Sequence, residues 1–299
     1  MDRKFKSGFV TIIGRPNVGK STIINSIVGE RVSIISSKPQ TTRNSIKCIY
    51  TENDFQIVFI DTPGIHKPKS KLGEYMVNTA SDSLKGVDLV MAIIDVSTEI
   101  GTGDLYIIDL IREIDKPKIL VLNKIDKITK NKLEHIVAQL SIHEDSFDSI
   151  IPISAKEGSN MEVLISEIVK FLPEGPKYFP SDMYTDMPEK FIVSELIREK
   201  ILELMEEEIP HGTAVEIFSM KERDEKSIFD IEATIYCEKE SHKGMIIGKG
   251  GSMLKKIGTM AREDIEALLD CKVNLKLWVK PKNNWRDSNT LLKSLGYHK

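Results

Sequence analysis

The segment GRPNVGKS, residues 14–21, constrains the fold more than any other part of the sequence. It matches the pattern G-x-x-x-x-G-K-[ST], in which backbone N–H groups surround a phosphate at the start of a helix. The apolar run FVTII precedes it and the helical pattern STIINSIVG follows it, as such a loop requires. The chain is therefore expected to open with a strand, a phosphate-binding loop and a helix.

Short β-branched runs alternate with helical patterns over residues 1–172. The runs are FVTII, FQIVFI, LVMAIID, KILVLN and SIIPIS. Strands that alternate with helices form parallel sheets covered on both faces, so this part predicts an α/β domain with a mostly parallel sheet wrapped by helices. Residues 173–188 contain four prolines and predict a linker, because proline interrupts both helices and strands.

Residues 189–299 follow a different pattern, which predicts a small α+β domain. The helical pattern EKFIVSELIREKILELMEEE comes first. Two alternating strands follow, TAVEIFSM and SIFDIEATIYC, separated by the charged turn KERDEK. A glycine loop, the helix KKIGTMAREDIEALLD and the strand CKVNLKLWVK complete the order.

Cysteine usage and hydropathy indicate a cytoplasmic protein with reduced thiols. Cys48, Cys237 and Cys271 are far apart and form no CxxC pair, which argues against a zinc site or a disulfide framework. No apolar run approaches the roughly 20 residues needed to span a bilayer.

Four further segments, PQTTRN, DTPG, NKID and SAK, follow the phosphate loop in the order that a guanine-nucleotide switch needs. Lys20 would bridge the β- and γ-phosphates, and Ser21 would ligate Mg²⁺. Asp61 can hold the same Mg²⁺ through water, Thr42 can close on it, and the Gly64 N–H can contact the γ-phosphate. The predicted metal residues are thus Ser21, Thr42 and Asp61, and the predicted catalytic residues are Lys20, Thr42, Asn17 and Gly64.

The carboxylate of Asp126 can accept from the guanine N1–H and N2–H₂ groups, which adenine does not offer. The SAK segment, residues 154–156, could support the base through backbone N–H groups. The predicted nucleotide-binding residues are Gly14, Arg15, Pro16, Asn17, Val18, Gly19, Lys20, Ser21, Thr22, Asp61, Thr62, Pro63, Gly64, Ile65, Asn123, Lys124, Ile125, Asp126, Ser154, Ala155 and Lys156.

This first part of the chain resembles the translation-factor-related class of small GTPases. Ras orients its attacking water with a Gln, whereas Ile65 follows DTPG here and has no polar atom, which predicts slow unaided hydrolysis of GTP. In a group of related GTPases, an Asn at the position of Asn17 coordinates K⁺, and the resemblance implies this role. The alternative is that Asn17 only shapes the loop. His66 is a candidate base, but it is expected instead to be a mobile surface residue.

The glycine loop GKGG, residues 248–251, lacks the Lys-Ser/Thr ending of a nucleotide loop. It fits the GXXG loop with which KH domains clamp single-stranded nucleotides. The alternative is an ordinary turn between core helices. From residue 241 to the end there are 12 Lys and Arg against 5 Asp and Glu, which suits phosphate contacts.

Trp285 is a candidate for base stacking, and Trp278 is expected in the core. Ile246 and Ile247 could form an apolar floor for bases, or belong to the core instead. The predicted RNA-binding residues are Ile246, Ile247, Gly248, Lys249, Gly250, Gly251, Lys255, Lys282 and Trp285.

A GTPase domain joined by a short linker to a KH domain resembles the Era family over essentially the full chain. Ile65 agrees with the pattern of that family. The resemblance implies a GTP- and GDP-binding switch that binds the 3′ end of small-subunit rRNA, assists 30S subunit assembly and associates weakly with the bacterial inner membrane. A monomer is expected. Two alternatives stay open, a signalling GTPase whose second domain is a protein-binding adaptor, and an RNA-binding module in which nucleotide is structural.

Overall fold

The computed structural model describes residues 4–223 and 226–298, which divide into two compact units. The first unit contains residues 4–67 and 76–186, and the second contains residues 68–75 and 187–298. None of the helices in these described ranges has the length and apolar character needed to cross a bilayer.

The first unit has one six-stranded sheet with the strand order β2-β3-β1-β4-β5-β6. All neighbouring strands are parallel except β2 and β3, which are antiparallel, so the predicted α/β sheet is confirmed. The elements in chain order are β1 (Lys6–Gly14), α1 (Lys20–Val28), β2 (Ile46–Thr51), β3 (Phe55–Asp61), α2 (Lys71–Asp82), β4 (Leu89–Asp95), α3 (Thr102–Arg112), β5 (Lys118–Asn123), α4 (Lys130–Leu140), β6 (Ser149–Ile153) and α5 (Met161–Phe171). The first five residues of α2, 71–75, belong to the second unit.

The edge strand β2 was not predicted from the sequence. Its residues, IKCIYT, follow a turn-rich polar stretch and form a short run that contains a lysine. β2 joins the sheet through a hairpin, in which Ile46 pairs with Asp61 and Thr51 with Gln56. Pairing with a buried neighbour, rather than its own hydrophobic pattern, makes this segment a strand.

The segment predicted as a linker packs against the first unit through residue 186. The buried side chain of Gln56 accepts from the backbone N–H groups of Tyr178 and Phe179 at 2.8 and 3.0 Å. Further along, the N–H of Ile49 on β2 donates to the carbonyl of Tyr184 at 2.8 Å. The prolines prevent a helix here, but they leave the backbone free to bond to the edge of the sheet.

The second unit has a three-stranded sheet with the order β7-β8-β9, antiparallel at the first pair and parallel at the second. The order of helices and strands predicted for a KH domain is confirmed. Its elements are α6 (Glu189–Leu204), β7 (Ala214–Arg223), β8 (Lys226–Cys237), α7 (Glu240–Ile247), α8 (Ser252–Leu269), β9 (Lys272–Pro281) and α9 (Asn289–Ser294).

Three details of the second unit differ from the expected pattern. α6 ends at Leu204, because Met205 already has an extended backbone, so the acidic run after it is not helical. The strands extend into the charged turn KERDEK from both sides, and its residues 224 and 225 lie outside the described residues. The basic end of the chain includes the short helix α9 rather than being only a tail.

Candidate functional site

The phosphate loop connects β1 to α1 and requires glycine at two positions. Gly19 has a φ of 101°, and a Cβ atom there would lie 2.3 Å from Nδ2 of Asn123. A Cβ atom at Gly14 would lie 2.8 Å from the carbonyl oxygen of Ile93. The backbone therefore turns tightly against β4 and β5, which leaves the start of α1 open toward a ligand.

Lys20 is buried in this loop, and no carboxylate of the described residues lies within hydrogen-bond distance of its ammonium. Its Nζ donates to the carbonyl oxygens of Gly14 at 3.3 Å and Arg15 at 3.1 Å. Burial lowers the pKa of Lys20 to about 8, and the nearby charge of Asp61 opposes this shift only in part. An anion beside Nζ would stabilise the charged ammonium.

Three oxygen-bearing side chains meet below the loop. The Ser21 hydroxyl donates to Oδ2 of Asp61 at 2.9 Å and lies 3.2 Å from Oγ1 of Thr42. Asp61 is fully buried, and its Oδ1 has no hydrogen-bond partner within the part of the chain that the structure describes. Burial raises the pKa of its carboxyl group. Hard oxygen donors with an unsatisfied carboxylate oxygen fit Mg²⁺, which takes one or two carboxylates together with phosphate oxygens.

A cavity of about 320 Å³ lies over this cluster. Part of the cavity lining comes from residues 34–41, none of which was predicted to be a site residue. The polar, turn-rich run before Thr42 was the available signal. The lining residues are Pro16, Asn17, Gly19, Lys20, Ser21, Thr22, Ile34, Ile35, Ser36, Ser37, Gln40, Thr41, Thr42, Gly64 and Lys124.

The NKID segment holds two loops together at the carboxyl end of β5. Buried Asn123 donates through Nδ2 to the carbonyl of Val18 at 2.8 Å, and its Oδ1 accepts from the N–H of Ala155 at 3.2 Å. Asp126 accepts from the Ser154 hydroxyl at 2.7 Å. Asn123 thus connects the phosphate loop to the SAK loop, and Ser154 orients the carboxylate of Asp126.

Lys124 lies between the phosphate loop and β4. Its Nζ donates to the carbonyl of Asn17 at 2.7 Å and to Oδ2 of Asp95 at 2.6 Å. Burial alone would raise the pKa of Asp95, but hydrogen bonds from Lys124 and Ser97 outweigh burial and lower it. Asp95 was not predicted from the sequence as a site residue, although a carboxylate at the carboxyl end of a parallel strand is a recognisable signal.

Gly64 packs against the phosphate loop, since a Cβ atom there would lie 2.7 Å from the backbone nitrogen of Pro16. Ile65 is buried in the hydrophobic core, and its N–H donates to the carbonyl of Gly14.

The side-chain amide of the exposed Asn17 donates to the carbonyl of Ser37. His66, expected to be a mobile surface residue, is half-buried, and its Nδ1 lies 2.9 Å from the Gly64 carbonyl oxygen.

Other predicted nucleotide residues do not line the cavity. The Arg15 guanidinium pairs with Asp104 at 2.7 Å, and the Thr62 hydroxyl donates to the carbonyl of Ile12 at 2.6 Å, so both have structural partners. The other predicted nucleotide-binding residues that do not line the cavity are Gly14, Val18, Asp61, Pro63, Ile65, Asn123, Ile125, Asp126, Ser154, Ala155 and Lys156.

In the second unit, the GKGG loop separates α7 from α8. Gly248, Gly250 and Gly251 all have positive φ angles, of 73°, 59° and 80°. A Cβ atom at Gly248 would also lie 2.8 Å from Cβ of Met253. The loop therefore needs glycine, and it leaves Lys249 exposed at the start of α8.

A groove of about 390 Å³ runs from this loop along α8 and β9. Two of the predicted RNA-binding residues, Gly251 and Lys255, line it. The remaining groove residues on α8 were not predicted, although they recur at helical spacing and therefore share one face of the helix. The lining residues are Gly251, Leu254, Lys255, Gly258, Thr259, Arg262, Leu275 and Leu277.

The assignments of the two tryptophans were wrong. Trp285 is fully buried and donates to the carbonyl of Gly212 at 2.9 Å, so it offers no face to a base. Trp278 is 43% exposed instead of lying in the core. Ile246 is fully buried, so it belongs to the core, whereas Ile247 is half-buried. The Nζ of Lys282 lies 4.5 Å from the centre of a tyrosine ring on β8.

Comparisons with known proteins agree with both units. Residues 9–124 match the family model described as a 50S ribosome-binding GTPase, and residues 208–286 match a KH domain. A crystal structure of Era in complex with MgGDPNP and nucleotides 1506–1542 of 16S ribosomal RNA gives a TM-score of 0.95 at 39% identity, covering 99% of this chain and 100% of that one. An Aquifex aeolicus Era variant bound to GDP and AlF4⁻ gives 0.94 at 40% identity, with the same coverage.

Two bacterial relatives are more similar in sequence. GTPase Era of Clostridium kluyveri is 58% identical, covering 98% of this chain and 99% of that protein. GTPase Era of Alkaliphilus oremlandii is 62% identical over 293 residues, which again cover 98% of this chain and 99% of the relative. With this similarity over nearly the whole of both chains, and with a phosphate loop and a GXXG groove in two separate units, the chain belongs to the Era family of GTPases.

Proposed function

We propose that the first unit binds GTP with Mg²⁺ and hydrolyses it to GDP and phosphate, as a molecular switch. The observation that carries this proposal is the unsatisfied, buried Oδ1 of Asp61 beside Ser21 and Thr42, under a cavity that Lys20 also lines. When bound, Mg²⁺ would neutralise charge on the phosphates, and Ser21, Thr42 and Asp61 would hold it. Lys20 would bind the β- and γ-phosphates, and the Gly64 N–H would contact the γ-phosphate.

The same proposal assigns guanine recognition to Asp126 and Asn123. Asp126 already has a fixed orientation, because Ser154 donates to one of its oxygens. An adenine base would offer no matching donors to the other oxygen of this carboxylate, and a carboxylate oxygen covered by a base and left unpaired costs about 1–3 kcal/mol. The test is a competition between GTP and ATP for the protein, followed by the same experiment with Asp126→Ala and with the exposed Asp109→Ala as control. Equal affinity for GTP and ATP in the unchanged protein would contradict the assignment.

We further propose that K⁺ assists hydrolysis and that Asn17 is a ligand. Ile65 is buried and has no polar side-chain atom, so it does not position water. Asn17 lines the cavity and uses its amide nitrogen for Ser37, whereas its Oδ1 accepts no hydrogen bond from any described residue. A K⁺ ion there would add positive charge beside the phosphates. GTP turnover is expected to be faster in K⁺ than in Na⁺, and Asn17→Ala should remove the difference. Equal rates in the two salts would exclude this role.

For the second unit, we propose binding of single-stranded RNA at the 3′ end of small-subunit rRNA, and a role in 30S subunit assembly. A solved Era that is 39% identical is described in complex with this part of 16S ribosomal RNA. The GXXG loop, the groove on α8 and β9, and the exposed Lys249 and Lys255 support the same role here.

Crosslinking of the GTP-analogue form to RNA in lysate, followed by sequencing, tests this role. Enrichment of the 3′ end, lost on Lys249→Glu with Lys255→Glu, is the expected result. Recovery of no RNA would instead favour the alternative of a signalling GTPase whose second domain binds protein. We also propose that GTP changes RNA binding by the second unit, because GTP would order the two switches. Unchanged RNA affinity between the GTP-analogue and GDP forms would contradict this coupling.

We propose in addition that the protein is a cytoplasmic monomer that associates weakly with the surface of the inner membrane. The family resemblance supports the membrane association, and the basic C-terminal part of the chain is compatible with an anionic surface. Flotation with vesicles containing anionic lipid should recover a small, salt-sensitive fraction of the protein, and light scattering should give the mass of one chain. No flotation at low salt would remove the membrane proposal.

A further inference from the structure

Strand β9 presents two different faces. Val273, Leu275, Leu277 and Val279 alternate on the side that faces α8, where a Cβ atom at Gly258 would lie 3.4 Å from Leu277. The residues between them, which include Lys276, Trp278 and Lys280, are exposed on the opposite side of the sheet. We call the surface formed by Lys276, Trp278 and Lys280 the outer β9 face. β9 is also an edge strand, because it pairs only with β8.

Trp278 is a large apolar residue that the fold does not cover. Its side chain is 43% exposed, and its indole N–H has no acceptor among the described residues. In the sheet it pairs with Thr234, which is only 7% exposed. The exposed part of the Trp278 side chain is available for contact with a partner. A single exposed ring is common on protein surfaces, so the charges around Trp278 decide what it can bind.

Positive charge flanks this ring on both sides. The side chain of Lys276 is 56% exposed, and its ammonium lies 3.4 Å from a carboxylate oxygen of Glu232. The ammonium of Lys280 has no acidic partner among the residues described. Next along the chain, Lys282 lies over the ring of Tyr236, which pairs with Lys280 in the sheet. An aromatic ring between lysines matches the chemistry of single-stranded nucleic acid, in which bases stack on aromatic rings and phosphates bind lysines.

We propose that the outer β9 face is a second contact for single-stranded RNA, in which a base stacks on Trp278 while Lys276 and Lys280 bind the neighbouring phosphates. The groove described above ends on Leu275 and Leu277 of the same edge strand, and Trp278 follows on the opposite side of that strand, so RNA would pass around the edge of β9 to reach it. This inference rests on the proposed RNA binding in the groove. It extends the contact beyond the few nucleotides that a GXXG loop clamps.

Two RNA lengths separate the groove from the outer β9 face. We would measure binding of labelled four-nucleotide and twelve-nucleotide fragments of the 3′ end of small-subunit rRNA to the full chain. The four-nucleotide fragment fills the groove alone, whereas the twelve-nucleotide fragment is long enough to reach Trp278. Trp278→Ala is expected to weaken binding of the longer RNA about 5- to 150-fold, the range for loss of one stacked base, and to change binding of the shorter RNA less than about twofold.

Matched variants make the test specific. Trp278→Phe retains an aromatic face and should keep most of the affinity. Lys280→Glu should weaken binding of the longer RNA and make that binding less dependent on salt concentration than in the unchanged protein. Phe218→Ala removes another exposed aromatic residue of the same sheet, 79% exposed on β7, and should have no effect. Intrinsic fluorescence adds a direct readout, because Trp285 is buried and acrylamide therefore quenches Trp278 selectively.

The outcomes distinguish this inference from the proposed function. If Lys255→Glu weakens both RNAs while Trp278→Ala weakens neither, the groove binds RNA and the outer β9 face does not. If the unchanged protein binds neither RNA, the proposed RNA binding fails, and this inference fails with it. If Trp278→Ala reduces association with the small ribosomal subunit but leaves both RNA affinities unchanged, the occupant is a protein, which also overturns the inference.

Discussion

The ammonium of Lys124 lies 2.6 Å from a carboxylate oxygen of Asp95, across the carboxyl ends of neighbouring strands β4 and β5. The same ammonium donates to the carbonyl of Asn17, so one lysine joins β4 to the phosphate loop. Ser97 donates to the other oxygen of Asp95 through both its backbone N–H and its hydroxyl. Asp95 is therefore a positioning residue for Lys124, which lines the nucleotide cavity.

We expect Asp95→Asn to weaken GDP and GTP affinity about 5- to 30-fold, because a charge-assisted hydrogen bond is replaced by a neutral one at a partly buried site. Titration with a fluorescent guanine nucleotide measures this. Asp109→Asn is the control, since Asp109 forms only an exposed pair with Arg112 on α3. An affinity for Asp95→Asn equal to that of the control would show that Lys124 needs no partner on β4.

Gly19→Ala is expected to abolish nucleotide binding and to lower the free energy of unfolding. The φ of 101° disfavours any side chain, and the new methyl group would lie 2.3 Å from Nδ2 of Asn123. Gly86→Ala is the matched control, because Gly86 has a φ of 73° but nothing within 4 Å of its Cβ position. Backbone strain lowers the free energy of unfolding of both variants by about 1–3 kcal/mol, so a larger loss in Gly19→Ala would come from the clash with Asn123. Equal stability and equal nucleotide affinity in the two variants would contradict this account.

Nucleotide binding should take up protons near pH 8. Lys20 has a pKa of about 8 when its only partners are backbone carbonyls, and phosphate would raise this pKa well above 8. The free protein is then about half deprotonated at Lys20 at pH 8, so binding takes up about half a proton there and less than about a tenth near pH 7. Affinity accordingly falls as the pH rises above 8. Calorimetry in two buffers with different ionisation enthalpies measures the uptake, and no uptake at pH 8 would contradict the prediction.

The lowered pKa of Lys20 affects folding of the nucleotide-free protein in the opposite direction: stability increases as the pH rises, whereas nucleotide affinity decreases. Between pH 8 and 10.5 the unfolded chain binds more protons at Lys20 than the folded chain does, so this group makes the folded state more stable as the pH rises through that window. Lys20→Met should therefore flatten the pH dependence of the unfolding midpoint between pH 8 and 10, measured by urea denaturation. A slope unchanged by Lys20→Met would indicate that the lysine is not buried in the free protein.

The two tryptophans should differ in their effect on stability. Trp285→Ala removes a fully buried indole, its hydrogen bond to Gly212 and its stacking on the ring of Tyr297, so we expect a loss of about 3–5 kcal/mol. Trp278→Ala should cost less than about 1 kcal/mol, because the ring is only partly covered. Denaturation followed by circular dichroism gives both values. A larger loss for Trp278→Ala than for Trp285→Ala would reverse the assignment made from burial.

The sequence by itself determined the features that depend on adjacent residues. The spacing in GRPNVGKS and GKGG imposes backbone geometry that only glycine satisfies, and the order of DTPG, NKID and SAK follows the order of the strands they terminate. These motifs were therefore recognisable without coordinates. The alternation of apolar residues along LKLWVK also carried a usable signal, because Leu275, Leu277 and Val279 share one face and place Trp278 on the other.

Only the tertiary structure decided which partner each isolated residue meets. Trp285 follows the end of β9, where no periodic pattern shows whether a ring is covered, and its burial depends on a carbonyl 73 positions away along the chain. Asp95 becomes part of the nucleotide site because β4 lies beside β5, and β2 becomes a strand because β3 lies beside it. Contacts of this kind join segments that are distant in sequence, so local spacing does not contain them, whereas packing of the folded chain creates them.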